Sequence, residues 1–266
     1  MPSNKQCPRF LDLIATVYNS ADSLRNTMAS AGDETPVRVL GLRASPFVTR
    51  VLIALKLKGV EYEFLQEQIG KKSELLLASN PVHKKVPVLL HNGKPICESL
   101  NIIEYVDEVW SSGAPPILPN DPYARATQRF WADYSDSKII GAIQVLMGVK
   151  EGSKDEAASQ MATALGHLDN ALALVESGQG KEHGNFGGDC LGYLDIALGS
   201  YVGWLRALEK ITGNGILDEA KFPRLVGWAD RFLEHEAVVE VMPRTDELVE
   251  YHATFPLLRA GASSSQ

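Results

Sequence analysis

Between residues 37 and 110 the spacing of hydrophobic positions switches between a period of two and a period near 3.6, and each switch marks an element. Val37-Arg38-Val39-Leu40-Gly41 reads as a short strand. Ser45-Pro46 then opens a helix over 47–58, with apolar residues at Phe47, Val51, Ala54 and Leu55. A proline at the first helical position gives up only an N–H that has no helical partner, and Gly59 stops the helix. Residues 62–65 predict a second strand. Residues 86–90 and 94–97 flank His91-Asn92-Gly93, a hairpin with Asn-Gly turn chemistry. Ser99 caps a helix that runs to about Trp110. The stretch 111–122 is dense in Ser, Gly and Pro and reads as a linker. Beyond it the strand pattern stops, and 123–150, 154–177, 190–210 and 222–236 carry helical periodicity between glycine-rich loops.

The element order β-α-β followed by β-β-α is that of a thioredoxin-like unit. The expected fold class is therefore α/β plus all-α. A thioredoxin-like domain spans 37–112, a linker 113–122, and an all-helical domain 123–255, followed by a tail at 256–266. The first 36 residues read differently. Phe10, Leu13, Ile14, Val17, Ala21, Leu24 and Met28 recur at helical steps, yet Asp12 interrupts the apolar stretch and no small-residue cleavage site follows. This segment is expected to be a flexible, dispensable leader outside the fold, with Met28 as an alternative start.

Composition narrows the function. Hydrophobic residues make up 45% and charged residues 22%, ordinary for a globular protein, and no apolar run approaches the roughly 18 residues needed to span a bilayer. With 26 Lys plus Arg against 33 Asp plus Glu, the formal charge is −7, a poor match for nucleic-acid phosphates. Neither nucleic acid nor membrane is an expected partner. Cys7, Cys97 and Cys190 form neither a disulfide framework nor a zinc motif, which points to a reducing compartment. Cys97 and Cys190 are expected to be buried structural thiols. The six histidines lack metal-ligand spacing, so no metal is expected. The run from Gly178 to Gly188 contains Gly180-Lys181, but Glu182 stands where a phosphate loop needs Ser or Thr.

Three junctions of the α/β unit carry the candidate chemistry. Ser45 lies between the first strand and the first helix, where helix N-termini receive ligands; a plain helix cap is the alternative. Pro87 falls inside the strand expected over 86–90 and cannot donate to its ladder; a cis bond there would leave the Val86 N–H and C=O free to pair with an extended peptide, and an ordinary edge-strand proline is the alternative. Glu98-Ser99 places a carboxylate and a hydroxyl at a strand-to-helix junction, suited to an amino-acid head group bearing both charges.

The motifs Ser45-Pro46-Phe47, Lys71-Lys72-Ser73, Asn80-Pro81-Val82-His83-Lys84-Lys85-Val86-Pro87-Val88 and Asn92-Gly93-Lys94-Pro95-Ile96-Cys97-Glu98-Ser99-Leu100 resemble the plant tau-class glutathione transferases. So do Arg129-Phe130-Trp131-Ala132-Asp133 and the run Gly187 to Leu198. The resemblance covers residues 37 to about 252, and the run from Asn80 to Leu100 is its most specific part.

What the resemblance implies is a serine-type glutathione S-transferase that conjugates the thiolate to small electrophiles, with a glutathione peroxidase side activity. Ser45 falls at the family's catalytic serine and Lys72 at the lysine that meets the glycine carboxylate. Val86 falls where the backbone pairs with the cysteine unit, and Glu98 and Ser99 at the pair that holds the γ-glutamyl end. Gly192 and Asp195 match a helix-capping element of the second domain. Phe47, Arg43, Ile140 and Gln144 fall at the second-substrate pocket. Arg43, Ile140 and Gln144 depart from the family's usual residues and put the electrophile in doubt. Glutathione is a co-substrate, and no cofactor is implied. A cytoplasmic homodimer is implied. A non-catalytic carrier of apolar molecules with a retained glutathione site is the alternative. A thiol reductase would want cysteine at position 45 and meets serine.

The chemistry fits these assignments. A cysteine thiol titrates near 8.5, so little glutathione is thiolate at neutral pH. A hydroxyl donating to sulfur at a helix N-terminus, which carries roughly half a positive charge, favours the thiolate. Lys71, Lys72, Lys84 and Lys85 suit an anionic substrate.

Overall fold

The computed structural model describes residues 37–179 and 184–254. The leader, Cys7, the Gly180-Lys181-Glu182 stretch and the tail at 256–266 lie outside the described residues. In chain order the elements are β1 (Val37–Gly41), α1 (Pro46–Leu57), β2 (Glu63–Gln66), α2 (Glu74–Ser79), β3 (Val88–His91), β4 (Lys94–Cys97), α3 (Ser99–Val109), α4 (Pro122–Leu146), α5 (Lys154–Gln179), α6 (Tyr193–Gly199), α7 (Val202–Thr212), α8 (Pro223–Glu234), α9 (Glu236–Val239) and α10 (Thr245–Ala253). A thioredoxin-like order is followed by helices alone.

Two compact units form. The described part of the first comprises 37–42 and 61–98; the second comprises 43–60 and 99 onward.

The first unit is the sheet with α2. Its strand order is β2-β1-β3-β4; β1 pairs parallel with β2 and antiparallel with β3. Val37, Val39 and Leu40 of β1, a central strand paired on both edges, are buried. Val39 sits opposite Phe64 on one side and Leu89 on the other. Asn92 (φ 49°) and Gly93 (φ 75°) both take the positive φ that a two-residue hairpin turn demands, closing β3 on β4. Leu40, Leu76, Val88 and Leu90 form a core against which Leu65, Leu75, Val86 and Cys97 pack. The short helix α2 has no counterpart in the hydrophobic pattern. Six residues are too few for a 3.6 period to declare itself, and its one local signal is Ser73, whose hydroxyl accepts from the Leu76 N–H at 3.0 Å.

The second unit is helical. Helix α1 is buried from Val48 to Leu55, including Arg50 at 0% exposure. Lys58, just past its end, pairs with Asp107 of α3 at 2.7 Å and donates to the Pro115 carbonyl at 2.8 Å. The single helix expected over 190–210 is two, α6 and α7. The Ala197 carbonyl, which a continuous helix would offer to the Tyr201 N–H, is taken by the Arg50 guanidinium at 2.8 and 3.1 Å. The Tyr201 N–H turns to the Leu198 carbonyl instead, at 3.0 Å, and the ladder breaks. In the first turn of α6, the buried Asp195 carboxylate accepts from the N–H groups of Phe186, Gly187 and Gly192 and from the Trp228 indole, at 2.7–2.8 Å. Here the loop doubles back so closely that a Cβ on Gly187 would sit 2.5 Å from the Gly192 nitrogen. Because this loop turns its amides inward, Cys190 faces out and is exposed, which corrects the expectation of a buried thiol. Helix α10 buries only Leu248 among polar neighbours, so its sequence pattern is weak.

Candidate functional site

Ser45 is the N-cap of α1, with Pro46 at the first helical position, yet its side chain makes no capping hydrogen bond. The backbone does the anchoring: the Ser45 carbonyl accepts from the N–H groups of Val48 and Thr49 at 3.0 Å and from the Thr49 hydroxyl at 3.2 Å. A plain cap would spend the hydroxyl on the helix. Here it stays on the half-buried surface beside the positive end of a twelve-residue helix. Upstream, the indole N–H of Trp204 donates to the Ala44 carbonyl at 2.8 Å. Downstream, Phe47 meets Tyr201 edge to face with centroids 6.1 Å apart.

Arg50, one turn beyond, received no role from the sequence and organises much of this unit. Its guanidinium forms a bidentate pair with Asp136 of α4, with contacts at 2.9 and 2.5 Å. It also lies 5.0 Å from the ring centroids of Phe47 and Tyr201. Most relevant to the candidates, it donates to the Ser99 hydroxyl at 3.3 Å. Ser99 is buried at the start of α3, and because its oxygen accepts from Arg50, its O–H remains available as a donor. The Tyr201 hydroxyl donates to Asp136 at 2.9 Å and satisfies the same carboxylate from another side.

Ile140 and Gln144 follow Asp136 at four-residue steps on α4, so all three share one helix face. Both are half-buried. Arg43 is exposed.

In the sheet unit, Lys72 is exposed but its backbone is fixed. Lys71 bridges Gln68, and Ser73 is held to the buried Glu67 carboxylate through its N–H (3.1 Å) and its hydroxyl. Glu67 fixes the backbone beside Lys72, a role that a lone glutamate at a strand end does not reveal. Val86 precedes a cis peptide to Pro87 and packs half-buried on the core. Asn80 holds the approach to it: its carbonyl and side-chain oxygens accept from the N–H groups of Lys84 and His83, and its amide donates to the Lys85 carbonyl at 3.0 Å. Glu98 is exposed, sits at φ 69°, and lies 3.8 Å from the His83 ring. Lys84 and Lys85 are exposed.

Among the described residues no group of three or more His, Cys, Asp or Glu side chains could hold a metal ion, and no helix is long and apolar enough to cross a membrane.

The chain is similar to known proteins over most of its length. The glutathione S-transferase N-terminal domain matches residues 35–108, and the C-terminal domain matches 153–231. Glutathione S-transferase U17 of Arabidopsis thaliana is 50% identical over 216 residues, which cover 81% of this chain and 93% of the relative. The crystal structure of a tau-class glutathione S-transferase from mango, Mangifera indica, has a TM-score of 0.77 at 46% identity, covering 84% of this chain and 100% of that one. A rice glutathione transferase crystallised in complex with glutathione has a TM-score of 0.74 at 37% identity, covering 84% of this chain and 99% of that one.

Proposed function

Given that the chain belongs to the tau class of the glutathione S-transferase family, we propose that Ser45 activates the glutathione thiol and that Lys72, Val86, Glu98 and Ser99 hold the tripeptide. The protein is a glutathione transferase that joins the thiolate of glutathione to small electrophiles. The carrier reading is not favoured. The observation that carries the role of Ser45 is its hydroxyl, left out of helix capping at the N-terminus of α1.

The chemistry then runs as follows. The Ser45 O–H donates to sulfur, and the α1 N-terminus adds a fixed positive partial charge, so the anion is favoured over the thiol. The thiol proton leaves to solvent. The thiolate attacks an electrophilic carbon, forming a C–S bond and expelling a leaving group or adding across a double bond. Ser45 is neither base nor nucleophile. Lys72 pairs with the glycine carboxylate, and the Val86 backbone pairs with the cysteine unit. Glu98 takes the γ-glutamyl ammonium, while the Ser99 O–H donates to the neighbouring carboxylate, oriented by Arg50. A peroxidase side activity rests on the same thiolate.

Arg43, Phe47, Ile140 and Gln144 are the proposed contacts to the electrophile. Support comes from the shared face of Ile140 and Gln144 on α4 and from Phe47 lying two residues after Ser45. The domain limits 37–112, 113–122 and 123–255 belong to the same proposal, supported by the absence of helix and strand between Val109 and Pro122. Glutathione as co-substrate, a homodimer and a cytoplasmic location complete the reading; the last is supported by the reducing setting that the three unpatterned cysteines suggest.

Purified protein incubated with glutathione and a chloronitrobenzene tests the reading. Product formation above the uncatalysed rate supports it. Binding of glutathione without turnover would restore the carrier. Light scattering on the same sample reads the mass against 29.0 kDa for one chain.

A further inference from the structure

We propose that Trp204 is a positioning residue for Ser45: by holding the Ala44 carbonyl, its indole N–H sets the backbone from which the catalytic hydroxyl projects. The inference rests on the role given to Ser45 above and extends it to the helix that fixes the serine.

The Ala44 carbonyl lies in the same rigid peptide plane as the Ser45 nitrogen and Cα. Rotating that plane swings the Ser45 Cα–Cβ bond. Downstream the plane is constrained because the Ser45 carbonyl is committed to the first turn of α1. Upstream there is no helix or strand between Gly41 and Pro46, and the 2.8 Å bond from Trp204 ties the turn down at Ala44.

Trp204 is itself well braced. It is 7% exposed, and its ring meets Tyr251 of α10 edge to face at 6.2 Å. The next residue of α10, His252, bonds the Met147 carbonyl at 2.9 Å. One turn before Trp204, Tyr201 grips Phe47. Two side chains three residues apart at the start of α7 therefore touch the chain on both sides of Ser45, Trp204 at the Ala44 carbonyl and Tyr201 at the Phe47 ring. An indole can fill this space without donating a hydrogen bond to a loop carbonyl. That its one donor goes to the residue directly before Ser45 makes the contact a positioning device rather than packing alone.

A hydroxyl-to-sulfur hydrogen bond needs close and linear geometry, and misplacing a reacting group by about 1 Å can cost on the order of a hundredfold in rate. Trp204→Phe keeps an aromatic ring against Tyr251 and deletes the N–H. The expected result is a rise of about half to one unit in the pH midpoint of kcat/KM, toward the thiol's about 8.5. Turnover near pH 6.5 should fall roughly three- to ten-fold, as that shift lowers the thiolate fraction, with KM for glutathione within about twofold, because the tripeptide contacts remain. A residue that served packing alone would lower the melting temperature and leave the pH midpoint in place.

Ser45→Ala is measured in parallel. If Ser45→Ala loses turnover while Trp204→Phe keeps the wild-type midpoint, the positioning role is overturned and the role of Ser45 stands. If Ser45→Ala keeps wild-type turnover and midpoint, the role of Ser45 falls, and this inference with it. Should Trp204→Phe not accumulate as folded protein, Tyr251→Ala carries the test. It removes the half-buried ring that braces the indole, and the same midpoint shift at smaller size is expected. An unmoved midpoint there overturns the inference equally.

Discussion

Asp195→Asn is a change of one atom whose cost can be worked from the geometry. One carboxylate oxygen accepts from the Phe186 N–H and the Trp228 indole; the other accepts from the Gly187 and Gly192 N–H groups. Every neighbour is a donor, and the site is fully buried. Burial pushes the Asp195 carboxyl up, while the four donors favour the anion. An asparagine amide can replace only one oxygen. Whichever way it flips, two buried N–H groups then face its NH2. An orphaned buried donor costs about 1–3 kcal/mol, so the pair costs about 2–6 kcal/mol. For a chain of this size that lowers Tm by roughly 4–24 °C. Thermal unfolding followed by tryptophan fluorescence reads it, with Trp228 in the perturbed shell. Asp133→Asn, an exposed carboxylate on α4, is the control and should stay within about 0.5 kcal/mol. If Asp195→Asn melts with the control, the four bonds are not what closes this loop, and the reasoning fails.

Lys72→Ala should raise KM for glutathione about two- to five-fold, with a smaller change in kcat, because an exposed charge pair made equally in ground and transition states alters binding alone; steady-state kinetics with glutathione as the varied substrate reads it, and an unchanged KM makes Lys72 a surface charge. Arg50→Met and Asp136→Leu should each destabilise by about 2–4 kcal/mol and couple by at least about 1 kcal/mol in a double-mutant cycle, since either alone strands a partner of the buried pair; additive losses would refute the pairing. The Arg129 hydrogen bonds hold the Glu104 carboxyl below its ordinary range, against the opposing effect of burial. That contribution is present above an unfolded carboxyl value of about 4.3 and is lost as pH falls through the lower folded value. The stability gap between wild type and Arg129→Ala, about 0.5–1 kcal/mol for so exposed a pair, should therefore close between pH 5 and pH 3 in urea titrations.

How legible all this was in the sequence depended on whether a residue's job was local. β1, the hairpin and the α1 start were readable because period, Asn-Gly and Ser-Pro are short-range signals. The expected strand over 62–65 proved shifted by one residue, and the expected start at 86 proved to lie two residues early, because Pro87 has no N–H for the ladder. Helix α2 is too short for its period to show, and α10 too polar. The break at Ser200-Tyr201 is caused by Arg50, 147 residues away from the carbonyl it captures, and no local pattern encodes that. For the same reason Arg50, Asp136, Trp204 and Glu67 went unread: each acts through a partner distant in sequence or through a buried charge that hydropathy alone scores as a surface residue. Ser45, Lys72, Val86, Glu98 and Ser99 are proposed from contiguous motifs, which are likewise local signals.

The central claim is that the Ser45 hydroxyl lowers the pKa of bound glutathione. The direct measurement is the ultraviolet absorbance of the thiolate in the enzyme–glutathione complex, titrated from pH 5 to 10 for wild type and Ser45→Ala at saturating glutathione. The account predicts a wild-type midpoint one to two units below the free thiol's about 8.5, equivalent to about 1.4–2.7 kcal/mol, and a Ser45→Ala midpoint returned most of the way to it. A Ser45→Ala midpoint that coincides with wild type, with glutathione bound in both, would contradict it.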